Sequence, residues 1–440
     1  MKKKLLLLSS LILLTSCNDF TEKNLEVSTA PDEVISSADL LLGQTDLINA
    51  GEFSVEKMLA NTGTFVVAPL ITKLDKEVAE LSAGIDQYCS TIKVFPTVTS
   101  EQLSALRKPL QDSWKKAMLT YHTLEVMNFG PAKAVTSTAM SSIYSFDRED
   151  KCQIDRTLLL AQRNRFPRFE VIDNYNVRGL DSIEPLIFAD PNKSRCQKVN
   201  PRLQAFFDLP LIEKENVSCK LMSHLMKDIT LKAQELEKSW SVRGGNYTAS
   251  MLKGTAGTSV EVTNEISQAL FVMDTLIKDI KTSYPAGFEV RIEEEITKCP
   301  DATCPRATEH LYADMALESL QASFKGFKYL FSGDNPETQA KGYGLDDLLI
   351  SRGFATIAKN LKTNIDLAIE NIEKNKGQSL QEMLKGVDAT ACEQTYSEDR
   401  KVEACALVWD IRKVTDILKN DYLVALAELS APRQASGDND

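Results

Sequence analysis

The chain has 440 residues, 43% of them hydrophobic, and carries 51 Lys and Arg against 62 Asp and Glu, a formal net charge of −11 at neutral pH. That length is enough to bury a large core and to form two or three domains. The acidic balance excludes a general affinity for nucleic acid or anionic lipid, which requires clustered positive charge, and is compatible with cationic ligands, metals included.

Lys2, Lys3 and Lys4 precede an almost unbroken apolar run over residues 5–14. A charged start followed by a short apolar stretch is the pattern of a secretory signal, and the run is too short for a permanent membrane span. It closes on Leu14-Thr15-Ser16-Cys17, small residues before a cysteine, which matches the bacterial lipobox. The expectation is a signal peptide over 1–16, a diacylglycerol on the Cys17 thiol and a further acyl chain on the amine that cleavage frees. Several chains anchor stably where one binds only marginally. The alternative is an ordinary cleaved signal with an incidental cysteine. Asn18 follows Cys17 and Asp19 comes one later. Inner-membrane retention places Asp directly after the cysteine, so the expected location is the cell envelope, lipid-anchored at the outer membrane. Removing residues 1–16 takes three lysines away and moves the formal charge from −11 to −14. No later stretch reads as a second span.

Residues 17–34 read as a polar tether. Periodicity beyond them is helical nearly throughout. Thr99-Ser100-Glu101-Gln102 reads as a capping box. Behind it Leu103, Leu106, Leu110, Trp114, Ala117, Tyr121 and Leu124 share one helical face. Pro109 sits near the start of this helix, where it would bend it, and Phe129-Gly130-Pro131 should end it. Residues 132–215 are less regular. A long helix follows over 219–240, with Leu221, Leu225, Ile229, Ala233, Leu236 and Trp240 in step. Gly244-Gly245-Asn246 and Gly254-Thr255-Ala256-Gly257 break the pattern and mark a domain boundary. Helices are expected again near 261–283, 307–332, 345–374 and 402–430. The fold class is therefore all-α: two packed, four-helix-bundle-like domains, 35–245 and 255–430, with a disordered tail over 431–440.

Eight cysteines remain after Cys17. An exported chain with an even count is expected to form disulfides. Cys299 and Cys304 bracket a short turn-rich stretch and are one expected pair; Cys392 and Cys405 flank a polar loop and are the second. Cys89, Cys152, Cys196 and Cys219 allow three connectivities, among which the sequence does not choose. Zinc at Cys299 and Cys304 is disfavoured, because no second Cys/His pair of suitable spacing accompanies them.

Several segments in order resemble the imelysin family of bacterial envelope proteins. Trp114 leads to Glu125-Val126-Met127-Asn128-Phe129-Gly130-Pro131, similar to the family's helix ending in a Phe-Gly-Pro turn. Residues 178–188, Arg-Gly-Leu-Asp-Ser-Ile-Glu-Pro-Leu-Ile-Phe, resemble its Gly-x-His-x-x-Glu segment. Residues 269–281, closing with Pro285-Ala286-Gly287, resemble the helix that opens the second half. Gly342-Tyr343-Gly344-Leu345-Asp346-Asp347 resembles a late turn. The resemblance spans roughly residues 35–430 and implies a two-bundle helical fold. It narrows function less. The family takes its name from a peptidase assignment, while related proteins are linked to iron regulation and periplasmic iron uptake.

Asp181 stands where the family motif has His; Gly179 and Glu184 match. The chain has three histidines, His122, His224 and His310, none in a His-Glu-x-x-His arrangement, which weakens a zinc-peptidase reading. Asp181 and Glu184 are three apart, as are His122 and Glu125, so each pair shares a helical face. Facing pairs would offer one imidazole and three carboxylates, a set suited to iron, manganese or calcium. The competing structural reading makes Asp181 part of a helix-start capping box with Glu184 and His122 a half-buried packing residue. Asp274 and Lys278, four apart, read as a helix-surface pair. There is no phosphate loop and no Gly-x-Ser-x-Gly elbow. The expected function is capture of a metal, iron favoured, or of a metal-bearing ligand, with the membrane reached through Cys17 and an envelope protein as a further partner. The alternatives are an imelysin-type metallopeptidase and a non-catalytic adaptor lipoprotein.

Overall fold

The computed structural model describes residues 53–133, 138–146, 151–169, 177–196, 198–288 and 303–425. The expected signal 1–16, Cys17 with its tether, Cys299 and the tail 431–440 lie outside the described residues. Among the described residues every regular element is helical, and no helix is long and apolar enough to cross a membrane.

In the first half, helix Val55–Asn61 continues through a π-helical turn, Thr62–Val67, into α1 (Ala68–Val94). The buried side of α1, Leu70, Ile71, Leu74, Val78, Leu81, Ile85, Tyr88 and Ile92, repeats at helical spacing. Helix α2 (Ser100–Glu125) starts at the expected capping box: Gln102 N donates to Thr99 Oγ1 at 3.2 Å and Thr99 N donates to Gln102 Oε1 at 3.0 Å. Next come α3 (Leu180–Ile187) and the long α4 (Leu211–Trp240). Helix α1 packs on both α2 and α4, and each large apolar side chain buried there contributes roughly 1.5–3 kcal/mol. Cys89 and Cys219 bond α1 to α4, with their Cα atoms 5.5 Å apart. Cys152 and Cys196 join helix Lys151–Gln162 to the loop after α3.

The second half contains α5 (Ser259–Ala269), a π-helical segment Met273–Ser283, α6 (Ala316–Ser332), α7 (Ala355–Lys374) and α8 (Glu403–Asp416). Helix α7 packs between α6 and α8, and α8 also covers the π-helical segment. The expected Cys392–Cys405 bond is present. Cys304 is also disulfide-bonded.

Helix α6 also lies against α2, which links the two groups of helices. Gly326 marks the crossing: a Cβ there would stand 2.0 Å from the Thr123 carbonyl oxygen, so only glycine lets the two backbones approach this closely. All described residues belong to one compact unit, Asp46–Asp440.

Four expected helices differ, among them 402–430, in which α8 gives way to a π-helical turn at Ile417–Tyr422. The 345–374 stretch is interrupted by Gly353 at φ +89° and becomes Leu345–Ser351 and α7. The 307–332 helix begins only at Ala316, because residues 303–315 form a turned loop with His310 at φ +53° and Asp314 at φ +49°. The 261–283 helix divides into α5 and the π-helical segment, whose wider turn changes which side chains face inward.

Candidate functional site

Helix α2 turns polar at its C-terminal end, where His122 and Glu125 are buried beside Leu124. Three further elements converge on them. The π-helical segment brings Lys281, the loop 303–315 brings Glu309 and His310, and α3 brings Asp181 and Glu184. Exposure is 0% at His122, 2% at Lys281, 2% at Glu309 and 1% at His310, so water cannot screen the charges.

Local geometry fixes each contributor. Trp114 Nε1 donates to the Leu180 carbonyl at 2.8 Å, which pins α3 to α2. Arg178 holds Asp228 of α4 through Nε at 2.7 Å and Nη2 at 3.0 Å. Gly179, at φ +97°, occupies the position before α3, and a Cβ there would meet Asp181 Oδ1 at 2.4 Å and the Ile143 carbonyl at 2.9 Å. The capping-box alternative for Asp181 is therefore not what forms: Gly179 is the N-cap and Asp181 lies buried in the first turn. Glu184 Oε1 accepts from the backbone N–H groups of Tyr312 and Ala313 at 2.8 and 2.9 Å. It thereby ties the loop carrying His310 to α3.

The network runs through the two imidazoles. His122 Nε2 and His310 Nε2 are 2.7 Å apart. His122 Nδ1 lies 3.2 Å from Glu125 Oε1 and 3.3 Å from Lys281 Nζ, and His310 Nδ1 lies 3.5 Å from Glu184 Oε2. The ammonium has only protons to offer at His122 Nδ1, and the Glu184 carboxylate only lone pairs at His310 Nδ1. The Glu184 contact places a proton on His310 Nδ1 and leaves His310 Nε2 an acceptor, whereas His122 Nδ1 faces both a donor, Lys281, and a nearer acceptor, Glu125 Oε1, so its neighbours serve either tautomer of His122.

Lys281 is the resident cation. Its Nζ is 2.8 Å from each oxygen of Glu125 and 2.9 Å from Glu309 Oε1. Ser323 of α6 also donates to Glu125 Oε1, and Tyr144 donates to Glu309 Oε1 at 2.7 Å. Glu309 Oε2 is buried and makes no hydrogen bond among the described residues. The Tyr144 ring packs against both imidazoles, with centroids 5.4 Å from His122 and 5.6 Å from His310, and Trp114 meets His310 edge-on at 5.2 Å.

Protonation follows from these neighbours. Burial pushes the His122 imidazole below its ordinary value, which Glu309 and Glu125 offset only in part, so His122 is neutral near pH 7. Burial alone would raise Glu125 and Glu309, but Lys281 holds both below the usual carboxylate range, with the His122 hydrogen bond helping at Glu125. Burial would likewise raise Glu184; His310, Lys151 and the Ala313 N–H outweigh it. Lys281 is held above its ordinary value, because Glu125 and Glu309 outweigh its desolvation. Two carboxylates, Glu125 and Glu309, thus share one buried ammonium.

The structure brings the four sequence-derived residues into this one region with different partners. Glu125 is occupied by Lys281 and Ser323, Glu184 by backbone N–H groups, and Asp181 Oδ2 accepts from Ser145 Oγ at 3.3 Å. His122 alone of the four belongs to the compact metal-capable group His122, Glu309 and His310, whose ligand atoms all lie within 4.8 Å of one another. Sequence reasoning missed Glu309, His310, Lys281 and Tyr144. The adjacent acid and imidazole of Glu309-His310, in a chain with three histidines, were the available signal. The Asp274–Lys278 pair is a correction. Both residues are buried, 3.0 Å apart, with Lys419 also 3.6 Å from Asp274, because the π-helical turn faces them inward.

The donors fit a metal. Two imidazole nitrogens and an orphaned carboxylate oxygen form a mixed N/O set of the kind that holds iron, manganese or zinc. With the two Nε2 atoms 2.7 Å apart, a cation bonded to both at about 2.0–2.1 Å would lie to one side of the line joining them.

No curated protein sequence matches the chain. Solved structures share its fold, two of them as follows. One is a candidate iron-regulated protein A precursor from Parabacteroides distasonis, 14% identical with a TM-score of 0.59, the match covering 86% of this chain and 95% of that one. The other is an imelysin-like protein from Psychrobacter arcticum, 15% identical with a TM-score of 0.57, covering 86% and 98%. The family model described as Imelysin, of the M75 peptidase group, matches residues 70–414, and the chain belongs to the imelysin family.

Proposed function

We propose that this protein is a lipid-anchored cell-envelope protein that binds a metal ion, iron favoured, at His122, Glu309 and His310 in metal uptake or homeostasis. The observation that carries this reading is the 2.7 Å approach of the two Nε2 atoms beside a buried Glu309 oxygen with no hydrogen-bond partner among the described residues. Leaving such an oxygen unsatisfied costs about 1–3 kcal/mol, and an unsatisfied buried group invites a functional explanation. A bound ion would supply the missing positive charge. In this arrangement Glu184 and Tyr144 are positioning residues: Glu184 fixes the His310 loop and Tyr144 orients Glu309. The description of the Parabacteroides relative as iron-regulated supports a role in iron handling. Envelope location rests on the Lys2–Cys17 sequence pattern.

A peptidase needs an ion with an open position and a water that reaches substrate. The near-complete burial of His122, Glu309 and His310 favours binding over hydrolysis. The test is calorimetric titration of the full chain, purified in detergent and stripped of metal, with Fe(II), Mn(II) and Zn(II). One ion per chain is expected, with affinity falling at least tenfold in Glu309→Gln. Absence of binding, or equal binding by the variant, would contradict the reading.

A further inference from the structure

Lys281 and a metal ion would draw on two of the same residues through different atoms. The ammonium lies 2.9 Å from Glu309 Oε1 and 3.3 Å from His122 Nδ1, and both residues belong to the metal-capable set. We propose that the Lys281 ammonium is a built-in electrostatic opponent of the bound ion, so that the ion is held as exchangeable cargo and not as a permanent cofactor. This inference rests on the metal reading above and deepens it.

Without an ion, Lys281 neutralises Glu125 and Glu309 and keeps a buried carboxylate pair from repelling itself. An ion at the two Nε2 atoms would place a second cation in the same sealed network, where charges separated by a few ångströms are poorly screened. For both Nε2 lone pairs to face the ion, His122 must carry its proton on Nδ1. Glu125 Oε1, 3.2 Å away, is placed to accept that proton. The ammonium then has no acceptor at His122 and retains Glu125, both of whose oxygens it already contacts at 2.8 Å. Glu309 is released to the ion. No proton leaves the protein: binding needs only the neutral tautomer of His122 that carries its proton on Nδ1. Lys281 comes from the π-helical segment Met273–Ser283, an element whose irregular hydrogen bonding often accompanies functional sites.

The test compares the full chain with Lys281→Met and Lys281→Arg by Fe(II) titration and by thermal unfolding with and without Fe(II). Lys281→Met should bind at least tenfold more tightly than the parent, unfold at a lower temperature when metal-free, and gain more from added Fe(II). Lys281→Arg, which keeps the charge, should bind no more tightly than the parent. If Lys281→Met does not fold, Glu125→Gln/Lys281→Met, which removes the ion pair together, is compared with Glu125→Gln, and the double variant should bind more tightly. Binding by the parent that is not strengthened when the lysine is removed overturns this inference alone. Absence of binding in every protein overturns the metal reading and this inference with it.

Discussion

His122 links the metal-capable set to Lys281, and its protonation should shape stability on the acid side. Its folded value is depressed by burial, whereas the unfolded chain titrates near the ordinary value of about 6.5. Between those two values the unfolded state binds the extra proton. The contribution of His122 is therefore present above the ordinary value and is lost as pH falls towards the depressed one. Glu125, Glu184 and Glu309 act in the same direction below the ordinary glutamate range. Asp347, pushed up to about 7 by burial and by Asp346, acts with opposite sign across the same window. The clean measurement is thus a difference. Urea midpoints of the parent and His122→Asn, followed from pH 7.5 to 5, should show a steeper acid loss in the parent, since Asp347 is common to both. Equal slopes would mean that His122 is not held neutral. The spacing of His122 and Glu125 on one helical face was legible in the sequence, because three residues apart on an α-helix leaves little choice. Lys281, Glu309 and His310 were not, since only tertiary packing brings residues from 281 and 309–310 beside residue 122.

At the scale of elements, the amphipathic stripes of α1, α2 and α4 were readable because apolar periodicity records the buried face directly. The capping box at Thr99 was readable for the same local reason. What failed to register was departure from the α period. Asp274 and Lys278 look like a surface pair at 3.6 residues per turn and become an interior pair in a π-helix. The loop 303–315 carries apolar residues that mimic a helix start, yet its two left-handed residues aim Glu309 and His310 inward. The pairing of Cys89 with Cys219, 130 residues apart, depends on α1 packing against α4, which no local signal specifies. Replacing both by Ser should destabilise the fold by about 4 kcal/mol, given the long closed loop, as read by denaturant unfolding under oxidising conditions. A change below about 1 kcal/mol would show that helix packing alone holds α1 to α4. Gly326→Ala tests the crossing of α6 over α2. Its Cβ meets backbone and not a flexible side chain, so a loss of about 1–3 kcal/mol is expected. Because α6 also carries Ser323, which donates to Glu125, the same substitution should weaken metal binding. Unchanged stability would show that the helices can separate freely there.

For the whole molecule, the site lies where α2, α3, the π-helical segment and the loop before α6 meet, so residues from both halves of the chain must pack before the three donors come together. The imelysin fold places these elements; the chemistry rests on the side chains they carry. Anchoring is a separate proposal. Cys17→Ser should shift the protein from the detergent to the aqueous phase on detergent partitioning, and unchanged partitioning would remove the lipid anchor from the account. The central claim is that a buried set of two histidines and one glutamate holds a metal. Its most direct test is a crystal structure of the iron-loaded protein, with the ion located by anomalous scattering. The account predicts one ion bonded to His122 Nε2, His310 Nε2 and Glu309, with Lys281 retained by Glu125. An ion bound elsewhere, or iron-treated crystals in which Lys281 still bridges Glu125 and Glu309 with no anomalous signal between the histidines, would contradict it.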